Sequence, residues 1–280
     1  MRVGTHVSIA GGIENAPGNA AKVGAEVFQI FSRSPHGGPV KPITPELVKK
    51  FQAEMKKHRQ DTFYIHTPYF INLASTKNNI YFGSVSVIRE ELERGSKLGC
   101  RAVMTHLGSF GELSEKEGIK RVVSALAKIM DGYRGKTQLL LENSAGAGKL
   151  VGDTFNELAS ILYSKQVSKY DVGVCFDTCH AFATGYDVRE KKSANQVLKQ
   201  FDKTIGLKKL VMVHANDSKG EPGGHLDRHE HIGKGKIGIS GFKAMVNHKA
   251  LSKLDWVLET PKDHPKDDPQ NINLLKKLRG

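Results

Sequence analysis

The fold class that this sequence predicts is α/β: a single closed (β/α)8 TIM barrel with its functional site at the C-terminal mouth of the strands. Three observations predict it. Eight apolar, strand-like runs alternate with helical patterns along the 280 residues. No linker, internal repeat, low-complexity segment or shift of composition divides the chain, so residues 1–280 read as one domain. Six successive runs, the third to the eighth, each end in a histidine or a carboxylate. The alternative, a doubly wound open sheet, lacks its sign, because no Gly-x-Gly-x-x-Gly fingerprint follows the first run.

The elements follow in order. The first strand is expected at residues 3–7, with its helix at 13–23. The second, at 27–31, runs into a glycine- and proline-containing segment before a helix at 45–57. The third, at 62–66, ends in His66 and precedes a helix at 85–98; the fourth, at 102–106, ends in His106 and precedes one at 118–131. The fifth, at 138–142, ends in Glu142, with a helix at 155–163. The sixth, at 172–177, is dense enough in β-forming residues to be a buried parallel strand; it ends in Asp177, and its helix is placed at 194–201. The seventh, at 210–214, ends in His214 and crosses a long, charged, glycine-rich segment to a helix at 239–246. The eighth, at 256–259, ends in Glu259 and leads to a helix at 270–278.

Composition bounds the class. With 39% hydrophobic and 25% charged residues the chain is that of a soluble globular protein. No apolar run approaches a membrane span and Met1-Arg2-Val3 leads directly into structured sequence, so no membrane association and a cytoplasmic location are expected. Three cysteines, Cys100, Cys175 and Cys179, are too few and too irregular for a disulfide framework, which fits a reducing compartment. Lys and Arg outnumber Asp and Glu by 42 to 29, a net charge of +13. Such a charge attracts polyanions, of which nucleic acid is the commonest large one, although scattered pairs such as Lys49-Lys50 also solvate helix faces.

One polar strand end means little; six in succession, none of them Lys, Ser or Asn, exceed structural need. On a barrel rim these side chains surround a single mouth, within reach of shared ions. Around Asp177 there is a competing reading, in which Asp177 caps the following helix and His180 is an ordinary loop histidine. Asp227 and His229 lie two apart, on one side of an extended chain; His231 points the same way by the same periodicity and stays an alternative. Five histidines and four carboxylates suit Zn²⁺ or Mn²⁺ better than Cu(I) or an Fe–S cluster, and Cys179 reads as a small buried residue. Three divalent ions against four carboxylates leave a net positive mouth, suited to the charge that develops on a phosphodiester under attack.

The strings His66-Thr67-Pro68-Tyr69, Glu142-Asn143-Ser144-Ala145-Gly146, Asp177-Thr178-Cys179-His180-Ala181-Phe182, His214-Ala215-Asn216-Asp217-Ser218-Lys219 and Asp227-Arg228-His229 resemble the signatures of the endonuclease IV family of zinc-dependent apurinic/apyrimidinic endonucleases. The likeness runs from Gly4-Thr5-His6-Val7-Ser8 to Glu259-Thr260-Pro261. It implies a barrel with three Zn²⁺, Mn²⁺ being an alternative at one or more sites. His66 and His106 would hold one ion, Asp177, His214 and Glu259 a second with Glu142 bridging the two, and His180, Asp227 and His229 the third. The implied reaction is metal-activated hydrolysis of DNA on the 5′ side of an abasic site, leaving a 3′-hydroxyl and steered by Glu142 as the catalytic residue, with trimming of blocked 3′ ends besides. His6 matches no ligand role and reads as a supporting residue.

Lesion recognition is implied for Tyr69 and Phe70, as a wedge that fills the gap left by the abasic nucleotide; the alternative for such a pair is a place in the core. The segment Ser34-Pro35-His36-Gly37-Gly38-Pro39 departs from the family, which carries a basic residue and a Trp there; His36 stands nearest the basic position. Abasic double-stranded DNA is the implied partner, and a monomer is expected. Two other classes stay open: a divalent-metal sugar isomerase or epimerase, which needs no basic surface, and a nucleic-acid binder with a structural metal, which needs four closed ligands per ion.

Overall fold

The computed structural model describes residues 1–279. Its parallel strands β1 (Arg2–His6), β2 (Val27–Ile30), β3 (Phe63–His66), β4 (Ala102–Thr105), β5 (Gln138–Glu142), β6 (Val172–Asp177), β7 (Leu210–His214) and β10 (Asp255–Leu258) close into a barrel, β10 pairing back onto β1. Between β7 and β10 a two-residue pair, β8 (Asp217–Ser218) and β9 (His229–Glu230), forms an antiparallel hairpin. Around the barrel run α1 (Ala16–Lys22), α2 (Pro45–Lys57), α3 (Asn78–Leu98), α4 (Glu115–Met130), α5 (Phe155–Leu162), α6 (Thr178–Ala183), α7 (Lys191–Thr204), α8 (Gly238–Val246) and α9 (Asp267–Leu278).

The strands lie within a residue of the expected runs, but His106 and Glu259 stand one position beyond β4 and β10. The helices differ more at their starts. Helix α4 begins at Glu115 because Ser114 and Glu117 form a capping box. Helix α3 begins at Asn78, seven residues ahead of the expected 85, without a side-chain cap; inside it the Ser84 hydroxyl donates to Ile80 C=O and accepts from Asn72 N–H, tying the first turns to the preceding loop. Helix α6 had no apolar pattern to announce it, and Asp177 caps it by accepting from His180 N–H at 2.8 Å.

Most of the core lies between the strands and the helices, with Phe28, Phe51, Phe155, Phe176, Phe201 and Trp256 fully buried. A smaller cluster fills the barrel itself: Val27, Tyr64, Ala102, Met104, Leu140, Cys175, Met212 and Val257. Side chains on a strand alternate faces, so the residue two further on points inward one layer higher. From this cluster that step reaches Gln29, His66, His106, Glu142, Asp177, His214 and Glu259. The period of the strand thereby turns a packed interior into a polar mouth. At the foot of the barrel, Tyr64 donates to Asp255 at 2.7 Å and Arg2 forks onto both Asp255 oxygens at 2.8 Å. Among the described residues no helix is long and apolar enough to cross a membrane.

Candidate metal centre

Glu142 stands at the centre of the mouth, with no exposed surface. His66 Nε2 and His106 Nε2 each lie 3.2 Å from its Oε2, while His214 Nδ1 lies 2.8 Å and His180 Nδ1 3.5 Å from its Oε1. His66, His106 and Glu142 offer ligand atoms within 4.8 Å of one another, as do Glu142, Asp177, His214 and Glu259, and as do His180, Asp227 and His229. Glu142 belongs to two of these groups. His180 reaches the third from α6, and Asp227 and His229 reach it from the arm leading into β9. His231 turns elsewhere: its Nδ1 pairs with the Asn271 side-chain amide at 3.0 Å.

The capping and ligand readings of Asp177 coexist. Its Oδ1 caps α6, while Oδ2 accepts from Asn216 at 2.6 Å and lies 3.9 Å from His214 Nδ1. His180 is buried, not a loop residue, and its Nδ1 meets the Asn143 carbonyl at 2.9 Å. Cys179 is a buried thiol whose titration burial pushes up, and it donates to the Arg228 carbonyl at 3.8 Å. A second cysteine, Cys175, also reaches Glu142 and His214, but burial pushes its thiol up to about 12.

The electrostatics follow from acids and bases buried together. Burial works to raise the Glu142 carboxyl, yet His214 and His106 hold it well below the usual carboxylate range. Against the same burial, His214 and His66 bring Glu259 down to about 2. Burial would lower His180 and His229, but Asp177 and Asp227 raise His180 to about 10, and Asp227 and Asp177 raise His229 to about 9. The carboxylates thus draw positive charge into the mouth, and divalent cations meet the same demand. His180 Nε2 and His229 Nε2 are buried without a hydrogen-bond partner, although Asp227 Oδ1 stands 3.2 Å from one and 3.4 Å from the other. Close approach without hydrogen-bond alignment is how ligands stand around an ion, and this donor set fits a metal.

A cavity of about 420 Å³ opens over the cluster, lined by His6, Phe31, His66, Tyr69, His106, His180, Asp227, His229, Glu259 and Lys262. Tyr69 is 64% and Phe70 43% exposed, so neither is a core residue. Phe31 supports Tyr69 edge-on at 5.1 Å, His36 lies 6.0 Å from the same ring, and Tyr69 N–H donates to Pro35 C=O. The loops after β2 and β3 therefore pack as one. Several contributors were not singled out as site residues by the sequence. Phe31 and Lys262 line the cavity, Asn143 clamps the Asp177 backbone through both ends of its amide, and Asn216 joins Asp177 to the Glu259 N–H. Asn143 and Asn216 lie inside the strings that carry the family resemblance, whereas Phe31 and Lys262 had only their nearness to a strand's end to mark them.

A closed βα barrel with histidines and carboxylates gathered at its C-terminal mouth defines a barrel enzyme with a metal-type site. Residues 17–278 match a family model described as Xylose isomerase-like TIM barrel. The sequence is 43% identical over 279 residues, 99% of each chain, to a Probable endonuclease 4 from Methanoculleus marisnigri. It is 38% identical to a Probable endonuclease 4 from Halothermothrix orenii, covering 99% of this chain and 100% of that one. The crystal structure of endonuclease IV from Thermus thermophilus matches with a TM-score of 0.88 at 33% identity, covering 99% of this chain and 98% of that one. The chain belongs to the endonuclease IV family and is a hydrolase of nuclease type. A D-tagatose 3-epimerase-like protein at 21% identity and TM-score 0.74 shares the fold.

Proposed function

We propose that this nuclease repairs double-stranded DNA, cutting the phosphodiester on the 5′ side of an abasic site to leave a 3′-hydroxyl, and that it also trims blocked 3′ ends. The observation that carries the reading is the convergence of nine histidines and carboxylates in three groups, two of which share Glu142. His66 and His106 would hold one zinc ion and Asp177, His214 and Glu259 a second, with Glu142 between them; His180, Asp227 and His229 would hold a third, Mn²⁺ being the alternative. When bound, such ions supply Lewis-acid stabilisation of charge on phosphate oxygens and acidify a water.

The chain's own groups do the rest. Glu142 has both oxygens fixed by imidazoles, so its charge is held at one place and cannot swing away as the phosphate changes shape. Lys262, held at 2.7 Å by Asp268, brings a half-exposed ammonium group to the cavity wall, where a phosphate can exchange for that carboxylate. Tyr69 and Phe70 form the wedge that replaces lost stacking, braced by Phe31, and His36 contacts the groove beside them. Cys175 and Cys179 remain thiols, which favours direct hydrolysis over a covalent enzyme intermediate. We assign the whole chain to one catalytic domain that works as a cytoplasmic monomer. The test is zinc analysis of the purified protein together with incubation on an end-labelled duplex carrying one abasic site. A product with a 3′-hydroxyl, formed without added Mg²⁺ and lost slowly under strong chelation, is expected. Zinc-free protein, or incision that requires millimolar Mg²⁺, sinks the reading.

A further inference from the structure

Seven of the eight barrel strands place a histidine or carboxylate at the inward position of the mouth: His6, His66, His106, Glu142, Asp177, His214 and Glu259. The eighth, β2, places Gln29 there, with no exposed surface. Gln29 reaches across the mouth to β7, from which β1 and β10 separate it in the barrel. Its Nε2 lies 2.6 Å from Glu259 Oε1 and 3.0 Å from His6 Nδ1, and its Oε1 lies 2.8 Å from His214 Nε2.

The chemistry allows only one arrangement of these bonds. A carboxylate accepts and never donates, so the nitrogen of the amide must face Glu259. Its two N–H groups then serve Glu259 and His6, and its oxygen must accept from His214 Nε2–H. A proton on Nε2 leaves Nδ1 as the nitrogen of His214 that can bind an ion, and Nδ1 is the one that faces Glu142 and Glu259 at 2.8 and 3.3 Å. The structure assigns Gln29 as the positioning residue that sets the ring orientation and tautomer of His214 and the carboxylate orientation of Glu259. One neutral amide holds two groups of the same cluster from opposite sides without adding charge to a mouth already crowded with it. Partners behind a ligand govern how firmly it binds. This inference rests on the reading that His214 and Glu259 hold metal.

The test uses full-length protein loaded with zinc and passed through a desalting column. Retained zinc is counted per chain, and its affinity is measured by competition with a chromogenic chelator. Gln29→Met keeps the volume and removes all three bonds; Gln29→Glu keeps volume and polarity but sets a carboxylate against Glu259, and carries the test if the Met variant does not fold. Each is expected to weaken one zinc by about 10–100-fold, and the Co²⁺-substituted protein to change its visible spectrum. The effect of Gln29→Met on zinc affinity should shrink when His214 is already Ala, because the two act through one ion. A folded variant with wild-type zinc affinity overturns the assignment, as does full additivity with His214→Ala. A wild type that holds no zinc instead overturns the underlying metal reading, so the two failures are distinct.

Discussion

At the scale of single residues, the proposed catalytic carboxylate Glu142 gives the most direct test. It is fully buried, and four imidazoles approach its two oxygens within 3.5 Å. Gln has the same shape but replaces one acceptor with a donor and removes the negative charge. We expect Glu142→Gln to lower kcat by at least about 10²–10³ while duplex binding is largely kept, the scale seen when one electrostatic stabiliser is lost. Single-turnover incision and gel-shift binding on one preparation check it, and near wild-type cutting removes Glu142 from the mechanism. His66, His106, Glu142, Asp177, His214 and Glu259 were legible in sequence because strand period and residue type point the same way. Gln29 was not. The expected second strand ran to Phe31, which hid the inward register of Gln29, and an amide carries no charge or metal preference to attract notice. Asn143 and Asn216 stand inside the resembling strings, but their role was silent for the same chemical reason, since their work is hydrogen bonding across strands that only the closed barrel brings together.

At the scale of elements, short apolar strands were easy to read, while pieces stabilised by side-chain hydrogen bonds were not. The hairpin of β8 and β9 has two residues in each strand, too few for any periodic signal. The segment beyond it is set by Asp217, whose carboxylate accepts from the backbone of Ser218, Gly233, Gly235, Ile237 and Gly238. The loops after β2 and β3 offer a direct comparison. Tyr69 and Phe70 present exposed rings, whereas the His36 segment presents two glycines with positive φ and one imidazole laid near Tyr69. Replacing both aromatics with Ala should reduce the preference for abasic over intact duplex far more than His36→Ala, by about 1–3 kcal/mol for each ring lost. Competition binding decides, and a larger loss from His36→Ala would redraw the wedge. Helix α5 carries a separate expectation. Burial pushes the Glu157 carboxyl up to about 7; the Gly152 N–H opposes this and Asp153 adds to it. The folded protein then keeps a proton that the unfolded chain has released, so Glu157 makes stability fall as pH rises from about 4.5 to about 7. Denaturation midpoints across that range should converge between wild type and Glu157→Gln at the acid end and separate toward neutrality, with the variant the more stable. Parallel curves would mean that Glu157 ionises normally in the fold.

At the scale of the whole molecule, surface and mouth carry opposite electrostatic tendencies. Cations outnumber anions by 42 to 29, and ion pairs such as Arg2–Asp255, Arg33–Glu90 and Arg279–Glu26 remove one of each, so pairing leaves the excess of +13 unchanged. The mouth instead gathers Glu142, Asp177, Asp227 and Glu259, which would repel a phosphodiester unless cations stand among them. A polyanion is therefore drawn first to the outer surface and admitted to the centre only where that repulsion is cancelled. Affinity for intact duplex should fall steeply with salt: neutralising about four phosphates gives a loss of roughly 10² between about 50 and 200 mM. The same titration on a metal-stripped sample should lower the affinity most at low salt and so flatten the slope, because the uncompensated carboxylates of the mouth repel phosphate through a field that salt screens. A flat salt dependence would reduce the basic charge to a solubility feature, leaving the mouth and its neighbouring loops to hold the duplex without long-range attraction.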